Sequence, residues 1–313
     1  MDQAALRRLL ADQAEVFRRE QWYAVGGDRA ALQTQLDARR WRALNDAVVV
    51  AHNGPLTRQQ QLWAVVLGAQ PPAALASLTA MELLGVRGFE TTSVHVLVRR
   101  GARVLPLLGV AVDVHESRRF DTGDVVPRLP PTTTLERAVV DAASWAPDIW
   151  TAFRIAVAPV QQRLTTGDRL LETLLAQGRI RFLRPLQSFL ADVSGGAQAL
   201  SEVAFVRWCR RHGFPKPRLQ VRTDVRGRRR YLDAWFQRPD GSTLWVEIDG
   251  GVHLSLATRW EDQLKDNDAW LSGRRGLRLV STAIYGDDPR AVEQLRQALG
   301  IVSTSVGNSQ RTC

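Results

Sequence analysis

Three carboxylates stand in the most strand-like part of a basic chain. Residues 228–253, RRRYLDAWFQRPDGSTLWVEIDGGVH, read as a strand, a tight turn at RPDGST and a second strand. Asp233 lies on the first strand, and Glu247 and Asp249 lie on the second. Side chains alternate faces along a strand, so Glu247 and Asp249 project together while Val246 and Ile248 face the other layer. A hairpin brings Asp233 alongside them. Three clustered carboxylates repel, and either a divalent cation or a proton relieves the repulsion. Oxygen ligands without cysteine favour Mg²⁺ or Mn²⁺ over zinc. A cation held in this way activates water and stabilises a phosphodiester under attack. The plainer alternative is that the acids face water at strand ends and pair with arginines. Their company favours the chemistry: Glu202 opens the preceding helix, His253 follows Glu247 by six residues, and a basic run leads into Asp233.

The 313 residues carry 42 basic and 32 acidic side chains, a net charge of +10. The excess sits in the second half. Residues 207–230 hold ten positive side chains against one acid, Asp224, whereas the first 150 residues are close to neutral. Only Lys216 and Lys265 are lysines; the rest are arginines, whose planar fork suits bidentate phosphate contacts. Arg222, Arg228, Arg229, Arg230 and Lys265 are therefore candidate DNA contacts. Cys209 and Cys313 form neither a disulfide framework nor a metal-ligand spacing; Cys209 reads as a core thiol on a helix. No apolar stretch is long enough to span a membrane, and the amphipathic, acid-bearing start is unlike a signal peptide. A reducing cytoplasm is the expected location.

Elements that could position these groups fall into an α+β or α/β multidomain arrangement. Residues 1–54 predict helices over 3–20 and 28–39, with Gly26 and Gly27 at the turn between them and Asp28 as a cap. A hairpin follows, turning at Asn45-Asp46 and returning through Val48, Val49 and Val50. Helix, turn, helix and two-stranded wing is the order of a winged helix-turn-helix. In that arrangement Arg39, Arg40 and Arg42 flank the wing. Residues 55–192 read as an α+β middle domain, with helices at TRQQQLWAVVLGA and LASLTAMELLGV and strands at SVHVLVRR and LGVAVDVHES. The threonines of LPPTTTLERAVVDAASWA are available as caps for a further helix. His95, Asp113, His115 and Asp141 have no ligand-like spacing and are assigned no chemistry. VSGGAQALSE loosens the chain, and a last domain spans 198–300. Its helix begins at Ser201, a helix covers 259–273, a strand runs through RGLRLVSTAIY, and a helix closes it. Residues 301–313 read as a disordered tail.

The motif YLDAWF…VEIDGGVH…RWEDQLKDNDAWL…RGLRLVS resembles the restriction-endonuclease-like domains related to the very-short-patch repair endonuclease, within the PD-(D/E)xK nuclease superfamily. The resemblance covers 201–299 and is most specific at Asp233, Glu247-Ile248-Asp249-Gly250, His253, Trp260, Asp262 and Asn267. It implies a mixed sheet flanked by helices, with Asp233 and Glu247 as metal ligands and Glu202 as a supporting acid. His253 would transfer a proton or orient water or phosphate. The superfamily lysine falls where Asp249 stands, which leaves the water-activating group open. Lys265 either reaches back into the site or faces solvent.

The stretch VFRREQWYAVGGDRAALQTQLDARRWRALNDAVVVAHNGPLT resembles the winged-helix domain of AbiEi-type antitoxins of type IV toxin–antitoxin systems. LTAMELLGVRG, SVHVLV and TTTLERAVVDAA resemble the portion that follows it, so this resemblance covers 6–145. It implies operator binding, autorepression and neutralisation of a nucleotidyltransferase toxin. Asn45-Asp46-Ala47 stands at the wing turn where a glycine is expected. Two functions are thus in view. One is a Mg²⁺-dependent DNA endonuclease with an N-terminal DNA-binding domain. The other is a non-catalytic DNA-binding regulator or antitoxin on a nuclease-like fold, with a toxin as partner.

Overall fold

A computed structural model describes residues 2–128, 130–225, 228–249 and 276–301, with the backbone alone at 122, 195–203, 220–233 and 249. His253, Lys265, the helix expected over 259–273 and the expected tail from 302 onward lie outside the described residues. The chain is a mixed α and β protein that divides into two compact units. One takes in residues up to Trp145 together with 162–165, and the other takes in the remainder. Among the described residues, no helix is long and apolar enough to cross a membrane.

The first unit opens with α1 (Gln3–Asp12), capped by Asp2, whose carboxylate accepts from the Ala4 and Ala5 amides. The helix expected over 3–20 ends early. Ala14 and Glu15 take left-handed φ values of 51° and 66°, and residues Val16–Arg18 form strand β1. Val16 and Phe17 are fully buried and pair with Val50 and Val49. Long-range pairing of two strand-favouring residues overrides a helical pattern. Then come α2 (Arg19–Ala24) and α3 (Arg29–Asp37), the latter capped by Asp28 as expected. The turn between them needs its glycines: Gly26 has φ +82°, and a Cβ on Gly27 would lie 2.2 Å from the Trp22 ring. β2 (Arg42–Ala43) and β3 (Val48–Val50) complete a three-stranded sheet in the order β1-β3-β2. No glycine is needed at the β2–β3 turn. Asn45 Oδ1 accepts from the amides of Ala47 (2.9 Å) and Val48 (2.8 Å), so a side chain closes the turn.

Helix α4 (Arg58–Gly68) begins at a Thr57/Gln60 capping box. Around it lies a five-stranded sheet, ordered β6-β5-β4-β8-β7, built from β4 (Ala73–Leu75), β5 (Val94–Arg99), β6 (Val112–Ser117), β7 (Val125–Val126) and β8 (Thr132–Thr133). Thr132 and Thr133, expected as caps, are buried strand residues. Thr134 accepts the Arg137 amide as α6 (Leu135–Trp145) begins, so one threonine does cap. Helix α5 (Ser77–Leu83) packs beside α6. Val94, Val96 and Val98 share one core with Leu62 and Trp63 of α4 and with Val16, Val48 and Val50 of the small sheet. A single apolar core therefore runs from the first sheet to the second.

The second unit contains α7 (Ile149–Gln161), α8 (Gly167–Gln177) and α9 (Leu183–Ala191). The glycine-bearing stretch 192–196, read as a loosening of the chain, is a wide helical turn that leads straight into α10 (Ala197–Arg211). Ser201, expected at a helix start, lies inside α10. A four-stranded sheet follows: β9 (Arg218–Val225), β10 (Arg228–Gln237), β11 (Thr243–Asp249) and β12 (Gly276–Val280), ordered β12-β11-β10-β9. β9, β10 and β11 are antiparallel, and β12 runs parallel to β11. Ser281–Tyr285, expected to prolong the last strand, is helix α11, and Pro289–Leu299 is α12. All five α11 side chains are buried, and the Tyr285 hydroxyl donates to Asp192. Enclosure on every side suits a helical turn better than a strand with one open face.

Candidate functional site

The two faces of the C-terminal sheet differ completely. Ala234, Phe236, Leu244, Val246, Leu277 and Leu279 are all buried on one face, in a core shared with Phe205, Trp208 and Cys209 of α10. Burial pushes the Cys209 thiol up to about 12, so it is a core thiol and no nucleophile. Alternation assigns Trp235, Trp245, Glu247 and Arg278 to the other face. The β10–β11 ladder pairs Ala234 with Val246 and Trp235 with Trp245. Carried one residue further, the same register sets Asp233 opposite Glu247. Asp249 occupies the next position of that face on β11. Positions 233, 247 and 249 therefore share one patch of sheet, as the hairpin reading anticipated. The turn that enforces this is local: Arg238 N–H bonds to Ser242 O, Gly241 takes φ +81°, and Asp240 accepts from Ser242.

Glu247 is held. Arg278, its register partner on β12, donates from Nη2 (2.7 Å) and Nε (3.0 Å) to Glu247 Oε2. Both side chains are about half exposed, at 50% for Arg278 and 45% for Glu247. Farther along the face, the guanidinium of Arg218 lies 5.0 Å from the Trp235 ring centroid, directly across the β9–β10 register. Among the described residues, the buried Trp235 indole N–H meets no hydrogen-bond partner. Arg218, Trp235, Trp245 and Arg278 had not been singled out from the sequence. The period-2 pattern that marks Asp233 and Glu247 places the two tryptophans on the same face. Arg278 becomes a neighbour only through the parallel pairing of β12. Arg222, Arg228, Arg229 and Arg230 lie on β9 and β10, and Glu202 lies in α10 on the apolar side of the sheet. Three carboxylate positions on one face are a donor set suited to Mg²⁺ or Mn²⁺. Among the described residues, no group of three His, Cys, Asp or Glu side chains could hold a metal ion.

In the first unit, α3 buries only Leu32, and Arg29, Gln33 and Thr34 are exposed. Arg39 and Arg40 are exposed just after it, with Arg39 in a left-handed conformation (φ 53°) and Arg40 bonded to Gln35. Arg42, on β2, is half-buried. Arg29 was missed, although its place one residue after the Asp28 cap marks it as the first residue of an exposed helix.

Two polar clusters in the same unit join residues whose spacing in the sequence is not ligand-like. Arg137, 1% exposed, donates to Asp141 and Asp124, each at 2.7 Å, and to the Arg119 carbonyl. Burial pushes the Asp141 carboxyl up to about 6, against the opposing pull of Arg137. His95 Nδ1 and His115 Nε2 lie 2.9 Å apart, and the His115 ring stacks on Trp145 at 3.7 Å. Asp113 accepts from Ser93 and approaches His95 Nε2 at 3.5 Å. Burial pushes His115 down to about 4 and lowers His95 as well.

No family model and no curated protein matches this chain. A solved structure described as the RV2827C protein from Mycobacterium tuberculosis is similar at 17% identity and a TM-score of 0.39, over 63% of this chain and 79% of that one.

Proposed function

We propose that the protein is a Mg²⁺- or Mn²⁺-dependent DNA endonuclease of the cytoplasm, with an N-terminal unit that reads duplex DNA. The observation that carries this reading is the register that brings positions 233, 247 and 249 to one face of the β10–β11 hairpin. Asp233, Glu247 and Asp249 would hold the cation, which would supply a Lewis acid and an activated water. The chain's own residues do the rest. By the alternation that puts Trp235 on this face, positions 218, 222 and 229 fall on it too. Arg218, Arg222 and Arg229 would neutralise the phosphate backbone, with Arg228 and Arg230 on the opposite face of β10. Trp235 and Trp245 would offer flat surfaces for bases to stack on. His253 would move a proton, with Lys265 in a supporting role. Glu202, on α10 across the sheet from these positions, is set apart from them. This matches the resemblance to restriction-endonuclease-like domains.

The element order α1-β1-α2-α3-β2-β3 supports a winged helix-turn-helix with α3 as its recognition helix. Arg29 and Gln33 would face the major groove, and Arg39, Arg40 and Arg42 would contact the backbone beside the wing. Groove contacts would specify the target and phosphate contacts would set the register. A second reading has a specific observation behind it. Arg278 already neutralises Glu247, and Asp249 stands where the superfamily has lysine. That combination suits a DNA-binding regulator of the AbiEi antitoxin type, with a toxin partner and a retired nuclease fold.

Supercoiled plasmid incubated with wild type or Asp233→Ala, in Mg²⁺, Mn²⁺ or EDTA, separates the two. Metal-dependent nicking by wild type that falls at least a hundredfold in the variant is the expected result. Retardation of DNA without cutting, equal in both proteins, selects the regulator.

A further inference from the structure

Helix α3 ends on a residue that seldom ends a helix. Its last turn passes into Arg39, which takes the left-handed conformation (φ 53°) that a helix end normally gives to glycine. An arginine stays there only when its surroundings hold it, and such a residue points to a task for its side chain. Three contacts do the holding. The Asn53 side chain, in the segment that leaves β3, donates to the Arg39 carbonyl (2.8 Å). The Arg40 and Trp41 amides both donate to the Gln35 carbonyl (3.0 and 3.2 Å). The Trp41 ring stands edge-on to Phe17 and Trp22, which fastens the far side of the turn to the core.

The two arginines on this turn are exposed, and their charge is intact. Arg40 Nε donates to Gln35 Oε1 (2.8 Å), an uncharged partner that orients the guanidinium without neutralising it. Among the described residues no carboxylate forms an ion pair with Arg39 or Arg40, whereas Arg18 and Arg58 of the same unit pair with Glu20 and Glu82. With Nε engaged, the two terminal nitrogens of Arg40 remain side by side for a phosphate. We propose that Gln35 and Asn53 are positioning residues that set Arg40 and Arg39 as a preformed clamp on the phosphates of a DNA backbone. The clamp presupposes the winged-helix reading of this unit and adds to it what holds the basic contacts in place. Neither Gln35 nor Asn53 touches the phosphate; each acts through one arginine. A preset side chain loses less freedom when the backbone arrives, so affinity rises without further charge.

The test is fluorescence anisotropy of a short labelled DNA duplex of arbitrary sequence with the full chain, in EDTA so that no strand is cut. Log affinity should fall linearly with log salt between about 50 and 200 mM, and Arg39→Ala and Arg40→Ala should each make that slope shallower by about 0.9. Gln35→Ala and Asn53→Ala keep every charge, yet each should weaken binding several-fold, with the melting temperature within a few degrees of wild type. Coupling is the decisive readout. Gln35→Ala should cost nothing further in Arg40→Ala, nor Asn53→Ala in Arg39→Ala, a result that general loosening of the turn would not give. Should Asn53→Ala fail to fold, Gln35→Ala carries the test alone, because it leaves the backbone bonds of the turn in place. Arg29→Ala separates the two ways of failing. If it weakens binding while the other four variants do not, or if the paired losses simply add, the clamp is wrong and the winged helix stands. If neither Arg29→Ala nor the Arg39 and Arg40 variants weaken binding, duplex is held elsewhere, and the winged-helix reading falls with the clamp.

Discussion

Two of the places where arginine meets carboxylate in this molecule behave oppositely. Arg137 in the first unit is 1% exposed, reaches two aspartates and a carbonyl, and ties α6 to the turn before β7. Arg278 in the second unit is half exposed and donates twice to a glutamate oxygen on the neighbouring strand. The first cluster has no room for exchange. Its charges are out of water, and each is affordable only because the others are present. The second is open to solvent, where an ion pair contributes little to stability. Identical pairing chemistry thus becomes architecture when buried and a candidate site when half exposed.

The sharpest way to break this contrast is to remove each arginine in turn. Arg137→Ala leaves two acids beside a buried void and should destabilise by about 3–5 kcal/mol. A melting temperature lower by roughly 10 °C or more, read by circular dichroism, corresponds to that loss. If Arg137→Ala melts no lower than Arg278→Ala, burial is not what separates the two clusters.

A second test, of intermediate size, probes burial by pH. His95 and His115 are held below their ordinary value, first by burial; Arg58 opposes the charge on His95 and His95 opposes it on His115, while Asp113 pulls both the other way. A histidine with a lowered folded pKa binds fewer protons than the unfolded chain between the two values. Its contribution is therefore complete above about pH 6.5 and is lost as pH falls toward about 4, where His115 titrates. Measured against His115→Phe, which keeps a ring on Trp145, wild type should lose at most about 3 kcal/mol over that window. Parallel stability curves for the two proteins would show that the pair is not buried in its neutral form.

Much of the carboxylate site was legible in advance, because a strand's period of two is written directly in the order of residues. Val246 and Ile248 announce the buried face, and Glu247 and Asp249 the other. The short turn RPDGST then aligns Asp233 without any long-range information. Arg278 was illegible for the complementary reason. It lies 31 residues from Glu247, and only the parallel register of β12 brings them together. The same cause hid the pairing of His95 with His115 and of Arg137 with Asp124, which unite separate strands and loops. The first helix failed differently. Residues 3–20 carry a good helical pattern, but Val16 and Phe17 gain more from pairing with β3 in the core than from continuing α1. At the β2–β3 turn, Asn45 replaces a glycine by supplying an acceptor, a substitution that only the turn geometry reveals.

The smallest expected change in stability carries the most information about function. Arg278→Ala should cost under about 1 kcal/mol, because a half-exposed pair gains little over its hydrated partners. Its effect on cation binding should be larger. At the proposed site a guanidinium and a divalent ion would compete for the same Glu247 carboxylate, so removing the guanidinium would leave the acids at 233, 247 and 249 less neutralised and raise their affinity for Mn²⁺. Manganese bound at the folded site raises the melting temperature by mass action, and the midpoint of that rise reports affinity without any cleavage. In Arg278→Ala the midpoint should fall several-fold below that of wild type, and adding Asp233→Ala should abolish the rise. A midpoint that stays put in Arg278→Ala would mean that Glu247 does not share in holding the ion. The arginine would then be a plain surface partner, and the contrast with Arg137 would be one of stability alone.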